Sequence, residues 1–150
     1  MAYKSQPTVT RPANTTAYTA GDVVGGVISF PEFKAGVSAL LTTCDLRINV
    51  TAIPAGMTSF RLHLYDGSPP SALADNAVFD IPSGDRDYYI GYVDLGSPAD
   101  VGSTLFSSVD QVNKHICPGV GLYGYLVTNG AFTPAGNSEV YRPCLRGLDA

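Results

Sequence analysis

The sequence predicts an all-β fold: an antiparallel two-sheet sandwich, jelly-roll-like, with an extended N-terminal arm. Three observations lead there. Glycine (16) and proline (11) are frequent while charged residues make up only 15% of 150 residues, a mix that suits short strands joined by tight turns. Alternating apolar and polar residues recur between turn clusters. No segment has the length or the period of a βαβ crossover helix, which leaves antiparallel packing.

The first element is the arm, residues 1–20, followed by one β-sandwich domain over 21–150. Polar residues dominate Arg11 to Asp22, and such a segment gains too little by self-burial to order itself. Val23 to Phe30 is the first strand, loosened by Gly25 and Gly26 and stopped by Pro31. Leu40 to Ala52 follows, with Leu46, Ile48 and Val50 alternating with Asp45, Arg47 and Asn49. After a turn at Pro54 to Gly56, Ser59 to Tyr65 points Phe60, Leu62 and Leu64 one way and Arg61, His63 and Tyr65 the other.

Asp66 to Pro70 is loop, and Ala72 to Asn76 has room for a single helical turn. Ala77 to Ile81 makes a short strand and Tyr88 to Leu95 a longer one. Leu105 to Val109 leads into Val112 to Cys117, halted by Pro118 and Gly119. Val120 to Thr128 is a strong strand closed by the Asn129-Gly130 turn. Glu139 to Arg146 completes the sheet, with Pro143 restricting it to an edge or a bulge. Strand order does not follow from this pattern.

Two strands, Tyr88 to Leu95 and Val120 to Thr128, are apolar or aromatic on both faces. Either loops cover the second face, or it is an oligomer or host-surface contact, where tyrosine is favoured. The second case nominates Tyr89, Tyr92, Tyr123 and Tyr125.

A chain of this length buries roughly 68–70% of its unfolded surface, so no disulfide framework is required. The odd count of three cysteines without regular spacing suits a reducing compartment. A net charge of −4 without a Lys/Arg run leaves no nucleic-acid footprint. No apolar run approaches the roughly 20 residues of a membrane span, and no signal sequence is expected. From Asp75 to Asp100 six aspartates face one Arg86, whereas Lys4 and Arg11 make the arm basic. Aspartate suits turns by its local hydrogen bonding, and a basic tether for an acidic surface is the alternative.

Catalytic patterns fail one by one. There is no Gly-x-Ser-x-Gly elbow, and a Cys–His pair would have to be assembled from His63, His115 and three scattered cysteines. His115 and Cys117 share a strand face but make only half a zinc site. Asp80, Asp85 and Asp87 flank the Pro82-Ser83-Gly84 turn, where aspartate is expected anyway. No catalytic, cofactor-binding or metal-binding residue is therefore nominated, and no cofactor or small-molecule substrate is expected.

The run from Arg11 through Pro12, Ala13, Asn14, Thr15, Thr16, Ala17 and Tyr18 to Val24 resembles the opening of a family of small tailed-bacteriophage structural proteins, the capsid decoration (cement) proteins. Phe60 to Phe79 and Tyr89 to Leu95 resemble the same family. The resemblance implies a β-sandwich that sits, commonly as a homotrimer, on the outer capsid surface of a virion assembled in the host cytoplasm. It implies the major capsid protein as partner, capsid stabilisation as the role, and no catalytic residues. On this view the arm binds the capsid through Lys4, Pro7, Arg11, Pro12, Asn14 and Tyr18, spanning roughly 65 Å if about 20 residues are fully extended. The alternative is a phage tail or baseplate module that binds host glycan.

Overall fold

The computed structural model describes residues 1–150 and is all-β, with two antiparallel sheets and a single 3-10 turn. The strands are β1 (Ala2–Ser5), β2 (Val9–Thr10), β3 (Val23–Lys34), β4 (Ala39–Ile48), β5 (Phe60–Tyr65), β6 (Tyr89–Leu95), β7 (Ala99–Asp100), β8 (Leu105–Val109), β9 (Lys114–Ile116), β10 (Gly121–Thr128) and β11 (Val140–Asp149). The larger sheet, of seven strands, runs β1-β11-β4-β8-β7, with β2 also on β11 and β9 also on β4. The smaller sheet, of four, runs β3-β10-β5-β6.

Treating β1 with β2 as one position and β8 with β9 as another, and setting aside the two-residue β7 at the sheet margin, leaves eight positions in chain order. They lie as 1-8-3-6 in one sheet and 2-7-4-5 in the other. That is the order of two interlocked Greek keys, the jelly roll.

The core lies between the sheets, and strand alternation fills it. Leu46 and Ile48 from β4, Phe60, Leu62 and Leu64 from β5, Leu126 from β10 and Leu145 from β11 are fully buried there. Their alternates, Arg47, Arg61 and Arg146, face outward and are partly exposed.

Several sequence expectations shift. β3 runs past Pro31 to Lys34 because it is an edge strand, where one side needs no donor. Ala77 to Ile81 is no strand, contributing only a bridge between Asp22 and Val78. The helical turn falls at Ser83–Tyr88 rather than at Ala72 to Asn76. Pro143 sits in a strand paired on both sides, not at an edge. Its missing donor is tolerated because the partner strand is broken there: β1 pairs with β11 up to Leu145, β2 resumes at Tyr141, and Gln6 to Thr8 bridge the gap.

The largest correction concerns residues 1–20. They are extended in conformation but do not form a free arm. Ala2 to Ser5 lie in register with Leu148 to Leu145, and Val9 joins the core. Arg11 is 1% exposed and Tyr18 2%. Tyr18 bridges Phe132 by backbone hydrogen bonds, and their rings sit 5.1 Å apart.

Burial of the arginine is possible because every side of it is answered. Its Nε donates to the Tyr18 hydroxyl at 2.8 Å and its Nη1 to the carbonyl of Gly136 at 3.2 Å, while Glu139 lies 3.6 Å away. Tyr18 in turn donates to Asp75 at 2.6 Å, and Asp75 also accepts the Gly25 amide at 2.7 Å. Burial, with the Asp75 hydrogen bond behind it, pushes the Tyr18 phenol far above its ordinary value and keeps it a donor. A polar segment thus orders itself on carboxylates that arrive from distant parts of the chain.

Candidate functional site

The two outer faces of the sandwich differ. The outer face of the smaller sheet is covered in part by residues 66–88. Leu73 and Phe79 pack on Val23, Tyr65, Tyr125 and Val127 to form a second, small apolar cluster. The Tyr125 hydroxyl fastens this flap, donating to the Ser71 carbonyl at 2.7 Å and accepting the Leu73 amide at 3.0 Å. Asp85 fixes the same loop, accepting from the Ser71 amide at 2.8 Å and its hydroxyl at 3.1 Å.

This covering settles where the four nominated tyrosines lie. Tyr125 is fully buried within its own chain, so it is not available to an oligomer contact; the loop has taken its face. Tyr89 is half-buried, with its hydroxyl 2.8 Å from His63 Nδ1. Tyr123 is half-buried, and Tyr92 is 44% exposed at the rim. His63 stacks on Phe79 with ring centroids 3.8 Å apart, and burial lowers its imidazole to about 4, helped by Arg61 and opposed by Asp94. Tyr92 lies under the Arg61 guanidinium at 4.3 Å, and Asp94 holds that arginine at 2.7 Å.

The outer face of the larger sheet carries no such flap. Cross-strand register places its outward residues in rows. Ala2, Leu148, Leu40 and His115 form one row, and Lys4 and Arg146 begin the next beside Thr43. Then come Cys144, Asp45 and Ser108, and finally Arg142, Arg47, Phe106 and Ala99. Lys4, Arg142 and Leu148 are exposed, while Arg47, Phe106 and Arg146 are partly so.

Charge sets this face apart. Lys4, Arg47, Arg142 and Arg146 converge on it against the single carboxylate of Asp45, in a chain whose net charge is −4. Arg146 holds Asp45 at 2.6 Å, and that bond raises the guanidinium further above its ordinary value. Arg47 reaches Asp45 only at 3.6 Å and lies over the Phe106 ring at 5.1 Å. Cys144 is buried beneath these cations; burial raises its thiol, with Arg146 pulling the other way.

Of the residues nominated for a capsid-binding arm, the structure brings Lys4 onto this face. Pro7 lies in the gap between β1 and β2 beside it, where Gln6 accepts a hydrogen bond from Arg142 at 3.4 Å. Pro12 and Asn14 are exposed in the following loop, and Arg11 and Tyr18 are buried. Sequence reasoning missed Arg47, Arg142 and Arg146. Only Arg47 had a readable signal, since its alternation with Leu46 and Ile48 placed it outward. No group of three His, Cys, Asp or Glu side chains converges closely enough to hold a metal ion.

No family model matches the chain, and no curated protein is significantly similar to it. Among solved structures, the capsid of Ralstonia phage GP4 is similar at a TM-score of 0.43 and 13% identity, over 100% of this chain and 84% of that one. A lipoprotein from Bacteroides thetaiotaomicron follows at 0.39 and 10%, covering 99% and 84%. The mud crab dicistrovirus structure gives 0.32 and 13%, covering 100% and 70%. Two of these three are viral particles, but at such scores the likeness carries no role over to this chain.

Proposed function

We propose that the chain is a non-enzymatic structural protein of a virion, which lays the open face of its larger sheet on the outer surface of a capsid and bridges neighbouring major capsid proteins. One observation carries this reading: the sandwich folds its own loop over part of one outer face, while the outward residues of the other are mostly cationic. Uncovered charge of one sign on a chain of opposite net charge suits an acidic partner surface. The resemblance of Arg11 to Val24, Phe60 to Phe79 and Tyr89 to Leu95 to decoration proteins agrees with it.

In this reading the N-terminal residues take part as a sheet edge that contributes Lys4, with Pro7, Pro12 and Asn14 at its margin. They are not a tether reaching across to other subunits. A homotrimer is formed at the tyrosine-bearing rim, where Tyr92, Tyr123 and Tyr89 remain reachable. Three cationic faces on one body then add avidity to a contact that is modest for each copy.

The test is co-sedimentation with shells of the major capsid protein from the same virus. Binding should weaken as salt rises and be lost in Arg142→Glu/Arg146→Glu. Undiminished decoration by that variant overturns the attachment face. A second reading, a tail or baseplate module that binds host glycan, is favoured by Tyr92. That ring borders a cavity of about 310 Å³ with Asp94, Gln111 and Lys114 on its walls. It predicts sugar-dependent binding to intact bacteria.

A further inference from the structure

We infer that the outer edge of β1 and β2 is a strand-docking site, to which an extended, acidic segment of the major capsid protein adds by main-chain hydrogen bonds, an inference that rests on the attachment reading above. Strand addition of this kind takes its affinity from backbone groups and its selectivity from side chains.

Two backbone bonds fix which groups face outward. The Asp149 amide donates to the Met1 carbonyl at 3.1 Å, and the Arg11 amide donates to the Glu139 carbonyl at 2.9 Å. These bonds flank the register pairs Ala2–Leu148 and Thr10–Val140. In an antiparallel ladder both pairs are then of the non-hydrogen-bonded kind, so Ala2 and Thr10 turn their own N–H and C=O away from β11. The step between Ser5–Leu145 and Val9–Tyr141 is equal on both strands, so Lys4, Gln6 and Thr8 share this orientation. The same register sets Pro7 opposite Pro143, in the series that faces inward. Two missing donors thus fall at one position, and neither is lost from the outer edge. Burial follows the alternation: Ala2, Lys4, Thr8 and Thr10 are exposed, while Ser5 and Val9 are buried.

From Ala2 to Thr10 the edge runs about 26 Å, at about 3.3 Å per residue. The Gln6 carbonyl takes a long bond of 3.4 Å from Arg142, and no backbone group of the chain reaches the other outward groups. The remaining sheet edges are short or covered. Val23 of β3 is bonded at 2.8 Å through its amide to Ala77 and through its carbonyl to Asn76. Lys114 caps the Ile90 carbonyl of β6 at 2.7 Å, and β7 and β9 have only two and three residues. A long bare edge is a ready template for another chain, and this one carries neither a cover nor an outward-facing proline.

Charge selects the occupant. Lys4 and Arg146 are register partners, two cations side by side; Arg146 holds Asp45 at 2.6 Å, whereas Lys4 holds no carboxylate. A strand laid on the edge brings a residue of its own opposite Lys4, where Asp or Glu is favoured and Lys or Arg is repelled. A second copy of this chain fits worse, because pairing the edge with itself brings two cationic margins together.

The experiment follows amide hydrogen exchange of the whole ¹⁵N-labelled chain, free and bound to shells of the major capsid protein, read by NMR after quenching and release. In the free chain the amides of Tyr3, Ser5 and Val9 should exchange slowly and those of Lys4, Gln6, Thr8 and Thr10 fast. On shells the second set should slow at least tenfold. Thr8→Pro removes an outward donor and leaves the β11 ladder intact, so it should weaken shell binding at least tenfold at an unchanged urea midpoint.

Decoration without slowed exchange at Lys4, Gln6, Thr8 and Thr10, or full binding by Thr8→Pro, overturns strand addition and spares the attachment face. A chain that decorates no shells refutes that face and takes the docking site with it. Slowing of the same amides in the free chain as its concentration rises assigns the edge to a second copy and overturns the capsid segment. Lys4→Gln should weaken shell binding at least threefold at low salt, and unchanged affinity there overturns the acidic character of the segment.

Discussion

Truncating Arg11 tests whether the N-terminal segment belongs to the folded domain. In Arg11→Ala the Glu139 carboxylate, 6% exposed, loses its cation, and Tyr18 loses the donor at 2.8 Å. The carbonyls of Asn14 and Gly136 lose their partner as well. Removing one member of a buried ion pair costs about 3–5 kcal/mol, because the remaining charge stays desolvated. Against a total stability of about 5–15 kcal/mol that is a large fraction. A domain of this size loses about 2–4 °C of Tm per kcal/mol, so the expected fall is about 6–20 °C.

Urea denaturation followed by circular dichroism measures it, as a lower midpoint at unchanged slope. Lys4→Ala, an exposed control on the neighbouring strand, should stay within about 0.5 kcal/mol. A loss below about 1 kcal/mol for Arg11→Ala would mean that Arg11 is not held in its pocket and that residues 1–20 stand free after all.

Three further outcomes are expected. Because His63 is lowered to about 4 when folded and titrates near 6.5 when unfolded, its contribution is full above about 6.5 and is lost as pH falls toward 4. The pH dependence of wild type minus His63→Phe should amount to about 2–3 kcal/mol across that window; a flat difference refutes it. Tyr125→Phe removes the hydroxyl that fastens the flap, for about 1–3 kcal/mol, and limited proteolysis should then cut faster within residues 66–88. Gly56→Ala forces a Cβ to within 2.2 Å of the Ala131 carbonyl oxygen at a φ of +87°, so it should destabilise by about 1–3 kcal/mol in the same urea assay. Wild-type stability in that variant would show the turn to be mobile.

How much of this was legible in the sequence depended on whether the signal was local. The alternation of Leu46 and Ile48 with Arg47 needs only the strand period, and it correctly placed the core face of β4 and turned Arg47 outward. Phe60, Leu62 and Leu64 were equally plain. Their alternates His63 and Tyr65 were not, because whether they meet solvent depends on the flap brought over them by residues 66–88.

Arg11 failed for the same reason at longer range. Its polarity was visible, but its partners at Tyr18, Gly136 and Glu139 are assembled only by the topology. Pro143 looked like an edge marker since the break between β1 and β2 is invisible from its own neighbourhood. The cationic face gathers Lys4, Arg47, Arg142 and Arg146 from three strands, and no linear charge run announces it.

The partnership of Ala2 with Leu148 has a consequence for synthesis. At a translation rate of about 5–20 residues per second, the first strand waits on the order of ten seconds for its mate to leave the ribosome. Throughout that interval β4 also lacks β11, leaving the central ladder of the larger sheet half-built and its backbone groups unpaired. The pairing of β11 joins residues far apart in the chain, a pattern that slows folding and makes nascent copies prone to pair with one another.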